Sequence, residues 1–439
     1  MCPVMSAALF FQFVSLLASV AMVPLLLGYL GAQQYLLWMV FVTAGGLTLQ
    51  LESAIQTLMV RRIAPLHAAG DSRELLHEQV RAARIYRLLS ASILLLMLPL
   101  GWLYIDRLAS GDTPLWGGDG WGLAWLSFAL AYMINYLFGA NNVLLLGTAR
   151  TDSFFWTSAA SRILNIALTA AVLVLGLGLL GVALSFLSSV LVNVLAILVL
   201  AHAVRRGIRA SARKMQQTPT VDAATGVVRY SIFSFVAFLL YRGAFLLVVG
   251  RFAVDEAAAY GLALQAYAVI GAVALVPLQV WLHRLADAVH RGDEGMQRKE
   301  IGVALGFAVL AVVSGTLALQ LLGPWLLRLI GSEVGLPSFA TLSLLGGAFL
   351  VEALIMVFIN PLLLVKDLGF VPLYVLVAAA GLAGAVLALV LGLPLGPAML
   401  VPPLLGQGLL TLPFLAMRAA RGLRERNRLV RGEAADAGC

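Results

Sequence analysis

The sequence predicts an all-α polytopic membrane protein of about twelve transmembrane helices, arranged as two six-helix lobes related by a pseudo-two-fold axis along the membrane normal. Three observations carry that expectation. The 439-residue chain is 62% hydrophobic and only 11% charged, with a mean hydropathy of +0.97; soluble domains carry about 25% charged residues. Apolar runs long enough to cross a bilayer recur along its whole length. Its basic residues fall almost entirely between alternate runs.

A bilayer core about 30 Å thick needs about 20 apolar residues in a helix. The first six such runs are 6–29, 35–60, 87–106, 122–146, 154–176 and 180–203. The second six are 228–250, 257–282, 301–322, 338–364, 370–392 and 398–417. These give an N-lobe over 1–204, a basic linker over 205–227, a C-lobe over 228–417 and a basic tail over 418–439. Of the 29 Lys and Arg residues, 24 lie in alternate loops and the tail. The positive-inside rule makes those loops, and both termini, cytoplasmic. The run from Ala7 to Leu30 has no basic residues before it and exceeds a signal-peptide core, so it reads as the first span.

Between spans one and two, Gly28, Gly31 and Tyr35 make an outer turn, and Arg61-Arg62 stops the second span. Asp71 with Glu74 reads as a helix cap that opens an amphipathic helix with Leu75, Leu76 and Val80 on its apolar face. The outer loop 107–121 is short and rich in Gly and Asp. The halves share sparse signals. Gly28 and Tyr35 lay onto Gly250 and Tyr260, Ile63-Ala64 onto Leu285-Ala286, and Gly70-Asp71 onto Gly292-Asp293. An even number of spans separates the copies, so both enter the membrane in the same direction.

No reactive constellation points to an enzyme. Cys2 and Cys439 stand at the two ends, and His67, His77, His202, His283 and His290 follow no metal-binding spacing. Gly176 to Gly181 matches GxGxxG, but with no strand before it this is a turn rather than a nucleotide site. There is no phosphate-binding GxxxxGK[ST] loop for ATP. Nothing calls for a cofactor or nucleic acid; the net charge of +8 is explained by topology.

What remains is polarity inside the membrane, where a charge costs at least about 2.5–3.5 kcal/mol. Four residues qualify: Glu52, Arg162, Arg242 and Glu352. Each half holds one acid and one base at similar depth, so mutual neutralisation stands beside a substrate-facing role. Thr48, Glu52 and Gln56 repeat every four residues on span two; Ser231, Ser234, Tyr241 and Arg242 share a face of span seven. Arg242 is the first candidate for an anionic headgroup, since a guanidinium fork suits phosphate oxygens. Asn135, Asn141, Asn142, Asn165 and Asn360 read as interhelical hydrogen-bond partners. Pro24, Pro277 and Pro361 interrupt spans, and Trp102, Tyr104, Trp116, Trp121 and Trp125 read as interface anchors.

The turn around Gly28, Gly31 and Tyr35 and the closing RRIA at 61–64 resemble the first two helices of Wzx-like polysaccharide flippases of the MOP exporter superfamily. The resemblance implies a MATE-like fold in a bacterial inner membrane, with the polar stripes of spans two and seven facing a central cavity of alternating access. It implies an undecaprenyl-pyrophosphate-linked oligosaccharide as substrate, contacts with membrane lipids and other glycan-assembly proteins, and coupling to an H⁺ or Na⁺ gradient. Wzx-like cavities are often cationic, whereas here two glutamates accompany the two arginines. That departure keeps a cation-coupled MATE multidrug exporter as the alternative, with Glu52 or Glu352 as coupling site. A glycan polymerase or ligase of the same pathway would need a larger outer loop than 107–121.

Overall fold

At the centre of a bilayer a backbone N–H or C=O finds no water, so each must bond within its own segment. Every regular element among the described residues is accordingly helical. The computed structural model describes residues 3–109, 121–148, 150–211, 232–243, 245–246, 249, 253–329, 331–332, 334–365 and 367–436. Eight helices among them are long and apolar enough to cross a membrane, nine when one bent pair counts as a single span. The expected runs map onto helices, but several are broken or joined. The second run continues from the first in one bent helix, 87–106 and 398–417 are split by π-helical turns, 122–146 and 257–282 each break into two helices, and 228–250 lies partly outside the described residues.

The chain divides into two units, 1–227 with 330–334, and 228–329 with 335–439. In the first, α1 (Pro3–Ala68) bends at Gly31, whose φ of 67° lies in the left-handed region that glycine tolerates. Gly28 and Tyr35 stay helical, so the predicted turn is a kink at one residue. After it come α2 (Ser72–Ser92), a π-helical turn (Ile93–Met97), α3 (Leu98–Ala109), α4 (Trp121–Leu137), α5 (Gly139–Gly147), α6 (Thr151–Val174) and α7 (Gly178–Ser211). Helices α4 and α5 meet at 43°. The GxGxxG stretch is the turn between α6 and α7, where Gly176 and Gly178 both have positive φ and the Leu179 N–H donates to Gln34 Oε1. Helix α7 runs through Arg205, Arg206 and Arg209, so the first basic residues of the expected linker are helical.

Asp71 Oδ1 accepts from Glu74 N at 3.1 Å, as the cap predicts. Asp71 N itself donates to Leu66 O at 2.9 Å. The buried face of α2 is Leu75, Gln79, Ala82 and Tyr86, whereas Val80 is 50% exposed. Polar residues displace the expected apolar stripe for a reason. Glu78 pairs with Arg62 and Arg81, and Gln79 accepts from Arg205 Nε and Nη2 once its amide is turned to suit them. Arg205 also donates to Asn141. This network ties α1, α2, α5 and α7 together at the basic end of the unit.

In the second unit, helical residues 232–238 lead into a π-helical turn (Leu239–Gly243). Then follow α8 (Val254–Ala274), α9 (Val276–Arg291), α10 (Glu294–Leu329), α11 (Phe339–Leu364), α12 (Val371–Val390), α13 (Leu395–Gly406), a π-helical turn (Gln407–Thr411) and α14 (Leu412–Asp436). Pro277 stands in the first turn of α9, where its missing N–H is no loss, rather than kinking a continuous span. The turn before α10 repeats the one before α2 at an offset of 222 residues. Gly70 and Gly292 both have positive φ, Asp293 N donates to Ala288 O at 3.0 Å as Asp71 N does to Leu66 O, and Asp293 Oδ1 accepts from Met296 N at 3.0 Å.

The loop after α11 is held by an ion pair. Arg418 Nε and Nη2 donate to the two Asp367 oxygens at 2.6 and 2.8 Å, and Gly369 N donates to Oδ1 at 2.9 Å. A Cβ on Gly369 would collide with Arg418 Nη2. The guanidinium chiefly, and the Gly369 N–H in addition, hold the Asp367 carboxyl below the usual carboxylate range. A carboxyl depressed in the folded state stabilises fully above its unfolded value of about 4, and that contribution is lost as pH falls through the folded value. Asp367→Asn should therefore lower the thermal midpoint at pH 7, and the gap from wild type should shrink as pH falls below about 4. A gap that stays constant with acidification would contradict the assignment.

Candidate functional site

In the first unit the limb of α1 beyond Gly31 carries the Thr48, Glu52 and Gln56 stripe. It meets α4 where Gly45 leaves room for an aromatic ring: a Cβ there would lie 2.5 Å from Tyr132 Cε2. This close approach lets the next turn of α4 reach the stripe. Tyr136 OH donates to Thr48 Oγ1 at 3.0 Å, and Thr48 Oγ1 donates to Gly45 O at 2.7 Å. One turn on, Glu52 is only 8% exposed, and Asn135 Nδ2 donates to its Oε2 at 3.5 Å. The Asn142 side chain serves the same carboxylate from α5. Tyr86 is fully buried, its ring seated on Gly139, with a hydroxyl that has no hydrogen-bond partner. Glu52 is thus enclosed by amides and aromatic residues. Gln56, one turn further, is half-buried.

Arg162 lies at the middle of α6, and its side chain is exposed. No ion pair within 4 Å joins it to Glu52 among the described residues. Tyr132 feels both charges from its place on α4. In the second unit Arg242 is half-buried within the π-helical turn, its guanidinium carbon 5.9 Å above the Phe349 ring. Phe349 is fixed from its other neighbours, stacking with Tyr267 at 5.5 Å, while Tyr267 OH donates to Leu342 O at 2.6 Å. Glu352, one turn beyond Phe349 on α11 and half-buried, attracts Arg242 electrostatically, but they too form no pair within 4 Å. Ser234 is buried on the helical segment before the turn. The Tyr241 side chain lies outside the described residues.

Other sequence expectations divide. Asn165 bonds across helices to Ser189 Oγ at 3.1 Å and Asn141 accepts from Arg205 of α7, whereas Asn360 donates within its own helix to Met356 O. Trp125 is not an interface anchor: it is fully buried, and its indole N–H donates to Leu98 O. Trp102 and Trp121 do pair, with ring centroids 4.9 Å apart. Trp116 lies outside the described residues. Sequence reasoning missed Gln407 and Thr411. Both are buried in the π-helical turn before α14, and neither side chain has a hydrogen-bond partner. A glutamine and a threonine four apart in an otherwise apolar span were the available signal.

No protein-family model and no curated protein matches the sequence. Solved structures do match in fold. One is the inward-facing conformation of a multidrug resistance MATE family transporter of the MOP superfamily, with a TM-score of 0.69 and 14% identity over 94% of this chain and 96% of that one. A eukaryotic MATE transporter matches with a TM-score of 0.56 and 15% identity over 97% and 96% of the two chains. A MOP superfamily transporter from Pyrococcus furiosus, described as having a binding pocket of reverse polarity that suggests a different function, matches with a TM-score of 0.55 and 15% identity over 98% and 94%. At such identities the likeness shows a common fold, that of the MATE transporters.

Because the Tyr132 ring is packed among Phe128, Tyr136 and Phe186, it has little freedom to move away from a new methyl group. Gly45→Ala should destabilise by about 1–3 kcal/mol, the range for overpacking. Tyr132→Leu in the same chain should recover most of that loss in a thermal-shift cycle, and additive losses would contradict the fit.

Proposed function

We propose that this protein is a flippase that carries an undecaprenyl-pyrophosphate-linked oligosaccharide from the inner to the outer leaflet by alternating access. The observation that carries the reading is Arg162: a guanidinium at the middle of a helix long and apolar enough to span a membrane, exposed and without an acid within 4 Å among the described residues. Such a charge needs water or an anion beside it. Arg242, over an aromatic ring and only partly offset by Glu352, is the counterpart in the second unit. Each such group suits phosphate oxygens. A hydrated path also answers the sugar hydroxyls, each of which would lose about 2–7 kcal/mol of hydrogen bonding in hydrocarbon. Charge stabilisation and reorientation are all the residues need provide, so no bond-making chemistry and no cofactor enters. The bacterial inner membrane, with the basic loops and both termini cytoplasmic, is the location this reading requires.

Glu52 favours a second reading. A carboxylate enclosed by Asn135, Asn142 and tyrosines, apart from any arginine, suits reversible capture of H⁺ or Na⁺. That would serve a cation-coupled multidrug exporter, or supply the gradient coupling of the flippase itself. Deleting the gene separates them. Lipid-linked glycan should accumulate on the inner leaflet, whereas a drug exporter would change dye or antibiotic sensitivity instead. Arg242→Ala should abolish glycan export with protein abundance intact. Unchanged export would remove Arg242 from the substrate path.

A further inference from the structure

The repeated turn before α2 and α10 has different surroundings in the two units. In the second unit, α14 closes over it. Gln297 and Asn427 exchange side-chain hydrogen bonds at 2.9 and 3.2 Å, Gln297 Nε2 also donates to Ala288 O, Leu423 packs on Leu285 and Val289, and Val430 lies against Gly292. The equivalents of Ala288, Val289, Gly292 and Gln297, at the offset of 222, are Leu66, His67, Gly70 and Leu75. All four line an open cavity of about 320 Å³ at the basic end of the first unit. Helix α7, which closes this side, presents Val204, Gly207 and Ile208 and does not fill it.

The remaining lining is polar. Thr148 is 6% exposed, and its hydroxyl has no hydrogen-bond partner although it borders the cavity. Arg150, immediately before α6, and His67 are both exposed there. No carboxylate is among the described lining residues. The nearest acid on α2's side, Asp71, already accepts from Glu74 N. A buried hydroxyl awaiting a partner, a guanidinium at the start of a helix and apolar walls from Leu66, Leu75, Val204 and Ile208 together describe a receptor for an anion attached to something less polar. The volume lies at the low end of about 300–1,000 Å³ for small-ligand sites.

We propose that this cavity is a binding site for a phosphate group, held by Arg150, Thr148 and His67, and separate from the intramembrane charges. A phosphodiester lipid headgroup and free phosphate share that chemistry. Their sources are told apart by experiment on the purified full chain in phosphatidylcholine nanodiscs doped with phosphatidylglycerol. Native mass spectrometry counts retained lipids, and inorganic phosphate is titrated as competitor and by thermal shift. Wild type should retain phosphatidylglycerol over phosphatidylcholine, or show a saturable phosphate-dependent shift; displacement of the lipid by phosphate indicates one site for both. Arg150→Gln should weaken whichever binding is seen by about tenfold or more. Gly207→Leu, at a position where an added Cβ meets no atom within 4 Å, should block it by filling the space that α14 residues fill in the other unit. Persistence of binding in either variant, or neither lipid preference nor phosphate effect in wild type, overturns the proposal.

Discussion

A bilayer offers an ionised side chain no solvent, so every charge within a span must be answered by protein dipoles, by an opposite charge or by water. This chain answers its four intramembrane charges in different ways. Glu52 is folded into protein, held by amides from two helices and walled by tyrosines. Arg242 sits above an aromatic face with Glu352 as a distant counter-charge. Arg162 is left open. The helices around them are shaped to make these arrangements. Gly45 yields to Tyr132 and Gly139 to Tyr86, the α4–α5 break turns Asn142 toward Glu52, and a π-helical turn carries Arg242. An irregular backbone in a span frees groups that a straight helix would satisfy internally, and among the described residues three π-helical turns stand within apolar stretches.

The contrast between a sealed acid and an open base gives the functional reading its physical content. A group buried in amides binds and releases a small cation without contact with a bulky substrate. An exposed guanidinium within a span, if water reaches it, can meet an anion too large and too polar to be enclosed. Both tasks are those the proposed flippase would need if it couples an ion gradient to movement of a charged headgroup. The fold shared with the MATE transporters is compatible with such work, and the proposed substrate comes from the resemblance to Wzx-like flippases.

Much of the fold was legible because it depends on period and punctuation. Apolar runs of bilayer length, basic residues in alternate loops and the Gly-Asp pairs at 70–71 and 292–293 all carry local causes. The last of these fold into matching turns with matching hydrogen bonds. The four charged candidates were legible by the same logic, since a charge stands out in an apolar run. Their partners were not. Nothing in the spacing of Asn135 and Asn142 tells that a break in the helix brings both to Glu52, and Trp125 looks like an interface anchor until Gly101 is seen to make space for its ring. Val80 fails for a related reason: α2 turns a polar face inward to meet Arg62 and Arg205, a choice fixed by residues far away in sequence. Gln407 and Thr411 escaped notice because uncharged polar residues are common in spans and become informative only once seen buried without partners.

An open Arg162 requires that water reach the middle of α6. Cysteine labelling in intact membranes measures this directly, with Arg162→Cys placed in a chain whose Cys2 and Cys439 are serine. A membrane-impermeant, charged thiosulfonate should modify position 162 at a rate comparable to an exposed loop cysteine, while Leu173→Cys, at a buried position on the same helix, should resist. Equal resistance at both positions would mean that the arginine faces lipid or protein rather than a wet passage, and would contradict the account.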